Sequence, residues 1–243
     1  MKKMKFWSIV LLMALSLPLF NSCGSDDEES SNTGTGPTVN GKKLMGYTLR
    51  KGTAEYVTTF EYNSKGQIIV ETEKSNTGLS NVIYYTYEDD KIKVRSNYSS
   101  TIYGLSNGLI VSASYNNYSS NDSFNYSFVY DNNGYLTSTS TSRTDGSSIS
   151  TTNFTWVNGN LVKDGNITIT YSRYSSSMLP LLAGVGDNRV LSMQGYFGKL
   201  CSNLPSQEVY SDGTKYSYDY TIENGVVTKF VLDAEHIYTY NWE

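Results

Sequence analysis

Few residues of this 243-residue chain have side chains suited to catalysis or metal binding. His236 is the only histidine, which argues against histidine-activated nucleophiles and multi-histidine metal sites. Cys201 lies among apolar residues with no basic neighbour in sequence, so we expect a buried, unreactive thiol. We therefore predict no catalytic residue, no metal site and no cofactor.

Clustered carboxylates leave one enzymatic alternative open. Glu88, Asp89 and Asp90, or Asp131 with Glu223, could form the acid and base pair of a glycosidase. The two asparagines after Asp131 also suggest calcium, but no bidentate glutamate follows at a suitable spacing. All of these residues lie at predicted turns, where acidic side chains are common. We expect a protein that is not an enzyme, with a carbohydrate-active enzyme as the alternative.

Aromatic side chains are the other candidates for ligand contact, because tyrosine and tryptophan beside asparagine or aspartate can bind sugars or proteins. They recur in alternating segments, which predicts that most of them form the core. The candidate ligand-contact residues are Tyr62, Tyr130, Trp156 and Tyr220.

The N-terminus has the features of an export signal. Lys2, Lys3 and Lys5 precede an apolar run, Phe6–Phe20, which is short for a membrane-spanning helix. The run leads into Cys23, and this junction resembles the lipobox of bacterial lipoproteins, particularly the looser form found in Bacteroidetes. The resemblance implies that residues 1–22 are a signal peptide and that Cys23 carries diacylglyceryl and acyl chains such as palmitate. Several acyl chains provide stable membrane anchoring.

The segment after Cys23 predicts a tether and an export tag. An acidic run directly behind the cysteine resembles the tag that sends such lipoproteins to the cell surface, and residues 23–40 as a whole suit a flexible leash. Loss of the signal and its three lysines would leave 16 basic against 23 acidic residues, which disfavours nucleic-acid binding. The predicted tag consists of Ser25, Asp26, Asp27, Glu28 and Glu29.

From residue 41 to residue 243 the chain has the length and pattern of one β domain. Asn-Gly pairs at 107, 133, 158 and 224 and Asp-Gly pairs at 145, 164 and 212 predict tight hairpin turns. Apolar and polar residues alternate between the turns, as at Tyr216–Ile222. We predict an all-β, up-and-down antiparallel meander of long hairpins, strongly curved or closed into a soluble barrel. A lipid-facing barrel is disfavoured because Leu136–Arg143 reads LTSTSTSR.

A repeated motif joins successive hairpins: aromatic, any residue, aromatic, a polar stretch with glycine, then an aliphatic residue. FEYNSKGQI starts at Phe60, FVYDNNGYL at Phe128, FTWVNGNL at Phe154 and YDYTIENGVV at Tyr218. These units resemble the tyrosine-aspartate (YD) repeats of Rhs-type proteins. Together with the lipobox and GYFGKLCSNLPS at Gly195–Ser206, they resemble a Bacteroidetes surface lipoprotein family of unknown function with a porin-like β fold.

The alternation stops over residues 175–206, where an apolar, partly helical insert is predicted to pack against the open end or interior of the sheet. We expect an outer-membrane, lipid-anchored and surface-exposed protein that acts as a binding or envelope-associated module. Its partners would be the membrane and a glycan or envelope protein. A purely structural or adhesive component is the remaining alternative.

Overall fold

The computed structural model describes residues 38–182, 188–233 and 235–243. Cys23, the predicted signal peptide and the predicted export tag therefore lie outside the described residues.

The described residues form a single antiparallel sheet made of a two-residue strand and seventeen longer ones. In chain order the strands are β1 (Thr38–Val39), β2 (Lys42–Lys51), β3 (Ala54–Tyr62), β4 (Ile68–Ser75), β5 (Ser80–Tyr87), β6 (Lys91–Arg95), β7 (Ser99–Ser106), β8 (Leu109–Asn117), β9 (Ser123–Tyr130), β10 (Leu136–Arg143), β11 (Ser148–Val157), β12 (Asn160–Asp164), β13 (Ile167–Ser175), β14 (Asn203–Val209), β15 (Lys215–Ser217), β16 (Asp219–Glu223), β17 (Val226–Val231) and β18 (His236–Trp242).

The strands form a nearly closed barrel, which confirms the predicted meander. Consecutive strands pair along the chain except β15 and β16, and β18 returns to pair with β2, where Tyr240 lies opposite Tyr47. The ladder is interrupted at Tyr218, because β15 pairs with β14 whereas β16 pairs with β17. The Tyr218 N–H still donates to the carbonyl of Ser206 at 3.0 Å.

Three of the predicted Asn-Gly pairs form turns with two consecutive positive φ angles. The asparagines Asn107, Asn158 and Asn224 have φ of 50°, 51° and 51°, and the glycine after each is also positive. This is the geometry of the two-residue turn whose twist matches that of paired strands. At Asp131 a longer turn forms instead, in which the aspartate accepts the N–H groups of Asn133 and Tyr135, both at 2.9 Å.

The second aromatic residue of each of the four repeats donates a hydrogen bond to a backbone carbonyl of an earlier strand, and Tyr87, Tyr171 and Trp242 do the same. The ladder changes register beside Tyr62, Trp156 and Trp242. The donor and acceptor pairs are Tyr62 and Leu44, Tyr87 and Ile68, Tyr130 and Ile110, Trp156 and Leu136, Tyr171 and Leu161, Tyr220 and Pro205, and Trp242 and Val227.

The described part of the insert, residues 176–182 and 188–202, packs inside the barrel, whereas Ser175 belongs to β13 and residues 203–206 belong to β14. The insert contains two 3-10 turns, Ser176–Met178 and Pro180–Leu182, and a short helix α1 (Arg189–Met193) capped by the Asn188 side chain. Phe197 is fully buried, with its ring 5.2 Å from that of Phe128. Apolar side chains of the insert therefore belong to the same core as those of the sheet.

Polar groups of the insert pair with backbone groups of the barrel. The Ile68 N–H donates to Gln194 Oε1 at 3.2 Å, and the Ile110 N–H donates to the Tyr196 carbonyl at 2.8 Å. The Leu161 N–H lies 3.3 Å from Sγ of Cys201, a fully buried residue, as predicted. Burial raises the pKa of the Cys201 thiol to about 11, so it stays protonated.

We expect Tyr130→Phe to lower the free energy of unfolding by about 1 to 2 kcal/mol, because the Ile110 carbonyl loses a donor 2.6 Å away. Denaturant unfolding of the full-length protein measures the change. The control, Tyr118→Phe, alters a tyrosine that is 44% exposed and should leave stability unchanged. Equal effects of the two changes would contradict the structural role of the Tyr130 hydroxyl.

A second prediction concerns the contact between insert and barrel. Gly198 and Gly195 both have positive φ, but a Cβ on Gly198 would lie 2.4 Å from the Gly134 carbonyl, whereas one on Gly195 meets open space. Gly195→Ala should cost about 1 to 2 kcal/mol from backbone strain alone. Gly198→Ala should cost clearly more, as measured by denaturant unfolding. A cost no larger than that of Gly195→Ala would show that the two segments do not approach so closely.

Candidate functional site

A polar pocket opens where the insert meets two hairpin turns. Its volume is about 430 Å³, and it is lined by residues of the β3–β4 turn (63–69), by the end of β5 and the turn after it (85–89), and by Tyr196 of the insert. This size lies in the range of small-molecule sites, which is roughly 300 to 1,000 Å³.

The inner wall of the pocket carries tyrosine hydroxyl groups held in fixed positions. Tyr87 and Tyr196 stack with ring centroids 5.9 Å apart. The Tyr87 hydroxyl donates to the Ile68 carbonyl and accepts from Gln194 Nε2, both at 2.7 Å. The Tyr196 hydroxyl accepts from Gln67 Nε2 at 3.0 Å. Burial raises the pKa of Tyr196, so its hydroxyl remains protonated and able to donate.

The rim of the pocket is a turn stabilised by one side chain. Asn63 Oδ1 accepts the N–H groups of Lys65 and Gln67 at 2.9 and 3.0 Å, and Asn63 Nδ2 donates to Gln67 Oε1 at 2.8 Å. The Gln67 side chain is therefore already oriented toward Tyr196.

Charged groups surround the opening with opposite signs. The Glu88 carboxylate lies 3.1 Å from the Lys91 ammonium and 2.5 Å from that of Lys93. Hydrogen bonds from these lysines hold the pKa of Glu88 below its usual value. In the described part of the chain, the side chains of Lys65 and Asp89 form neither an ion pair nor a hydrogen bond. These two groups remain available to a ligand.

Inside the barrel, one ion pair joins the insert to the wall. Arg189 Nη2 lies 3.4 Å from Glu71 Oε1, and the Tyr85 hydroxyl donates to Glu71 Oε2 at 2.9 Å. The Arg189 guanidinium also lies over the Tyr47 ring, 4.9 Å from its centroid. Glu71 is only 5% exposed, so both oxygens of this carboxylate are used for structure.

Two further carboxylates lie on the inner face near the opposite side of the ring. Asp164 pairs across the ladder with Ile167, and Glu208 pairs with Ile169, which belongs to the core. Burial raises the pKa of Asp164 to about 6 and also raises that of Glu208, with a smaller contribution from repulsion by Asp164. The Tyr210 hydroxyl donates to Glu208 Oε2 at 3.1 Å.

The candidate residues taken from the sequence fall in several places. The four aromatics are partly buried, and each donates to a carbonyl through its hydroxyl or indole N–H. Their role in ligand contact stays a prediction.

The most exposed tyrosines are instead Tyr84, Tyr98 and Tyr118. The single histidine, His236, lies 2.8 Å from Asp233 at a turn. Within the described ranges, no three His, Cys, Asp or Glu side chains form a metal-binding group.

A nearly closed antiparallel barrel with a folded insert belongs to the porin-like class of β folds. One similar solved structure is a porin-like protein from Bacteroides uniformis ATCC 8492, with a TM-score of 0.66 and 16% identity over 82% of this chain and 98% of that chain. Another is a porin-like protein from Bacteroides vulgatus ATCC 8482, with a TM-score of 0.46 and 13% identity over 82% of this chain and 98% of that chain. At this identity the first likeness concerns the fold alone.

The family model described as a domain of unknown function (DUF4595) with porin-like fold matches residues 60–241. The chain belongs to this family, which confirms the resemblance to a family of unknown function with a porin-like fold. The resemblances to surface lipoproteins and to YD repeats stay predictions. No curated protein matches this chain. Among the described residues, none of the helices has the length and apolar character required to cross a membrane.

The buried carboxyl group of Asp164 predicts a pH dependence of stability. Its pKa is raised from 3.8 to about 6, so the folded state binds more protons than the unfolded chain between these values. Stability contributed by this group is therefore lost as the pH rises through that window. Asp164→Asn should resemble the wild type near pH 4 and be more stable at pH 7.5, by at most about 3 kcal/mol.

Denaturant unfolding at both pH values measures this difference. Asp212→Asn is the matched control, because Asp212 is exposed and its pKa is lowered by hydrogen bonds from Thr214. That variant should gain no stability at pH 7.5. A gain for Asp212→Asn, or none for Asp164→Asn, would contradict the burial argument.

Proposed function

We propose that this protein is a lipid-anchored, surface-exposed binding module of the bacterial outer membrane and that it is not an enzyme. The anchor is Cys23, and the acidic residues behind it direct the protein outward. The fold acts as a rigid barrel that presents a recognition site to the medium. Support for the location comes from the sequence of residues 1–29 and from the Bacteroides origin of the similar porin-like structure.

The pocket beside Tyr196 is the observation that carries the binding role. Three chain segments converge there, with polar groups that are oriented before any ligand arrives. Preorganised groups favour binding because little side-chain entropy is lost on association. Three of the carboxylates considered for an acid and base pair already have partners. Glu88 pairs with Lys91 and Lys93, Asp90 pairs with Lys91, and Asp131 accepts two N–H groups of its own turn.

The anchor is tested by metabolic labelling. Cells expressing the full-length chain are grown with radiolabelled palmitate, and mass spectrometry identifies the mature N-terminus. We expect label in the wild type and cleavage before Cys23, and we expect Cys23→Ser to lose both. Ser22→Ala keeps the cysteine and should still be labelled. An unlabelled wild type would refute the lipid anchor.

Surface display and binding require separate measurements. Protease added to intact cells should degrade the wild type, whereas replacing Asp26, Asp27, Glu28 and Glu29 with asparagine or glutamine should protect it inside the envelope. A glycan array and a pull-down from envelope extracts then test for partners. Release of reducing ends from a polysaccharide would instead support the enzymatic alternative.

A further inference from the structure

We propose that the pocket beside Tyr196 binds a neutral, polyhydroxylated ligand, a saccharide unit, through Lys65, Asp89 and the Tyr196 hydroxyl. This inference rests on the proposed binding function and names the ligand class of the same pocket.

The hydrogen-bonding groups of the pocket match a compound rich in hydroxyl groups. The Lys65 ammonium can only donate, and the Asp89 carboxylate can only accept. The Tyr196 hydroxyl accepts from Gln67 and retains its own proton for donation. A sugar hydroxyl both donates and accepts, so neighbouring hydroxyls on one ring can satisfy these different groups together.

The balance of charge disfavours a strongly ionic ligand. Glu88 and Asp90 are balanced by Lys91 and Lys93, which leaves one cation, Lys65, and one anion, Asp89, as the unpaired charged groups of the pocket lining. An anionic ligand would face the Asp89 carboxylate, and a cationic ligand would face the Lys65 ammonium. Like charges brought together oppose binding, whereas a neutral polar ligand meets neither penalty.

The pocket also differs from the other aromatic surface of the protein. At the far end of the barrel, the loops after β6 and β8 present Tyr98 and Tyr118, which are 52% and 44% exposed and joined by a backbone hydrogen bond of 2.9 Å. That surface shares no residue with the pocket. A change there should leave saccharide binding intact, so it supplies the matched control.

The test uses full-length protein and saturation-transfer NMR with a panel of sugars. The neutral members are glucose, galactose, mannose, N-acetylglucosamine, maltose, cellobiose and lactose, and the charged members are glucuronate and glucosamine. We expect at least one neutral sugar to bind and to be preferred to its charged analogue. Titration calorimetry then gives the dissociation constant.

Three variants in the pocket and one control variant outside it localise the binding. Asp89→Asn and Lys65→Met change exposed groups in turns and should each weaken binding by about tenfold or more, because each removes a charge-assisted hydrogen bond. Tyr196→Phe keeps the stacked ring and should weaken binding severalfold. Tyr98→Ala should bind as tightly as the wild type.

Several results would overturn the inference. These are no binding to any neutral sugar, a preference for glucuronate or glucosamine, or equal affinity in the wild type and in both Asp89→Asn and Lys65→Met. Loss of binding in Tyr98→Ala alone would move the site to the far end of the barrel and also refute it. A lipid-labelled, protease-accessible protein that captures an envelope protein but no sugar would refute the saccharide while the proposed binding function stands.

Discussion

The stability of the barrel depends on hydrogen-bond partners for the backbone groups that strand pairing leaves unpaired at one end. Strand pairing shifts register near the hairpin turns, as beside Tyr62 and Trp156, and such an irregularity leaves a residue outside the regular ladder of hydrogen bonds. A buried, unpaired backbone group costs about as much as a lost hydrogen bond. The aromatic repeat provides donors for the carbonyl groups. For example, the Trp156 indole N–H donates to the carbonyl of Leu136 in the preceding strand at 2.7 Å. Its ring meanwhile covers the core.

The insert provides acceptors for several backbone N–H groups of the barrel. Ile68, Ile110 and Leu161 lie at the start of β4, β8 and β12, and the N–H group of each donates to an atom of the insert. A barrel of this many strands encloses more space than its own wall can fill. The insert fills that space with side chains such as Phe197, and it brings Tyr196 to the rim. The pocket is therefore a consequence of the same packing that completes the core.

Local features of the chain were sufficient to predict the sheet but not the contacts across it. Asn-Gly pairs and alternating residues act within a few positions, and they correctly indicated turns such as Asn158-Gly159. The bond between Gln67 and Tyr196 joins residues 129 positions apart, and the Glu71–Arg189 pair spans 118. Nothing in the local pattern specifies which wall residue an insert will meet. The alternation does place Glu71 on the inner face, opposite Phe60. A carboxylate at an inward-facing position of a strand indicates that a buried partner exists, even though the sequence does not identify it.

The buried charged groups hold the fold together, whereas the exposed ones at the rim belong to the proposed binding site. Glu71 lies deep in the barrel with both oxygens occupied, so a ligand would have to displace Arg189 or Tyr85 to reach it. Removing one partner from a buried ion pair is strongly destabilising. The side chains of Lys65 and Asp89 at the rim are exposed to water. They could exchange this water for the hydroxyl groups of the proposed saccharide at low cost. Binding at the proposed rim site would therefore leave the interactions that hold the insert in place undisturbed, and a saccharide bound there would not require the core to unfold.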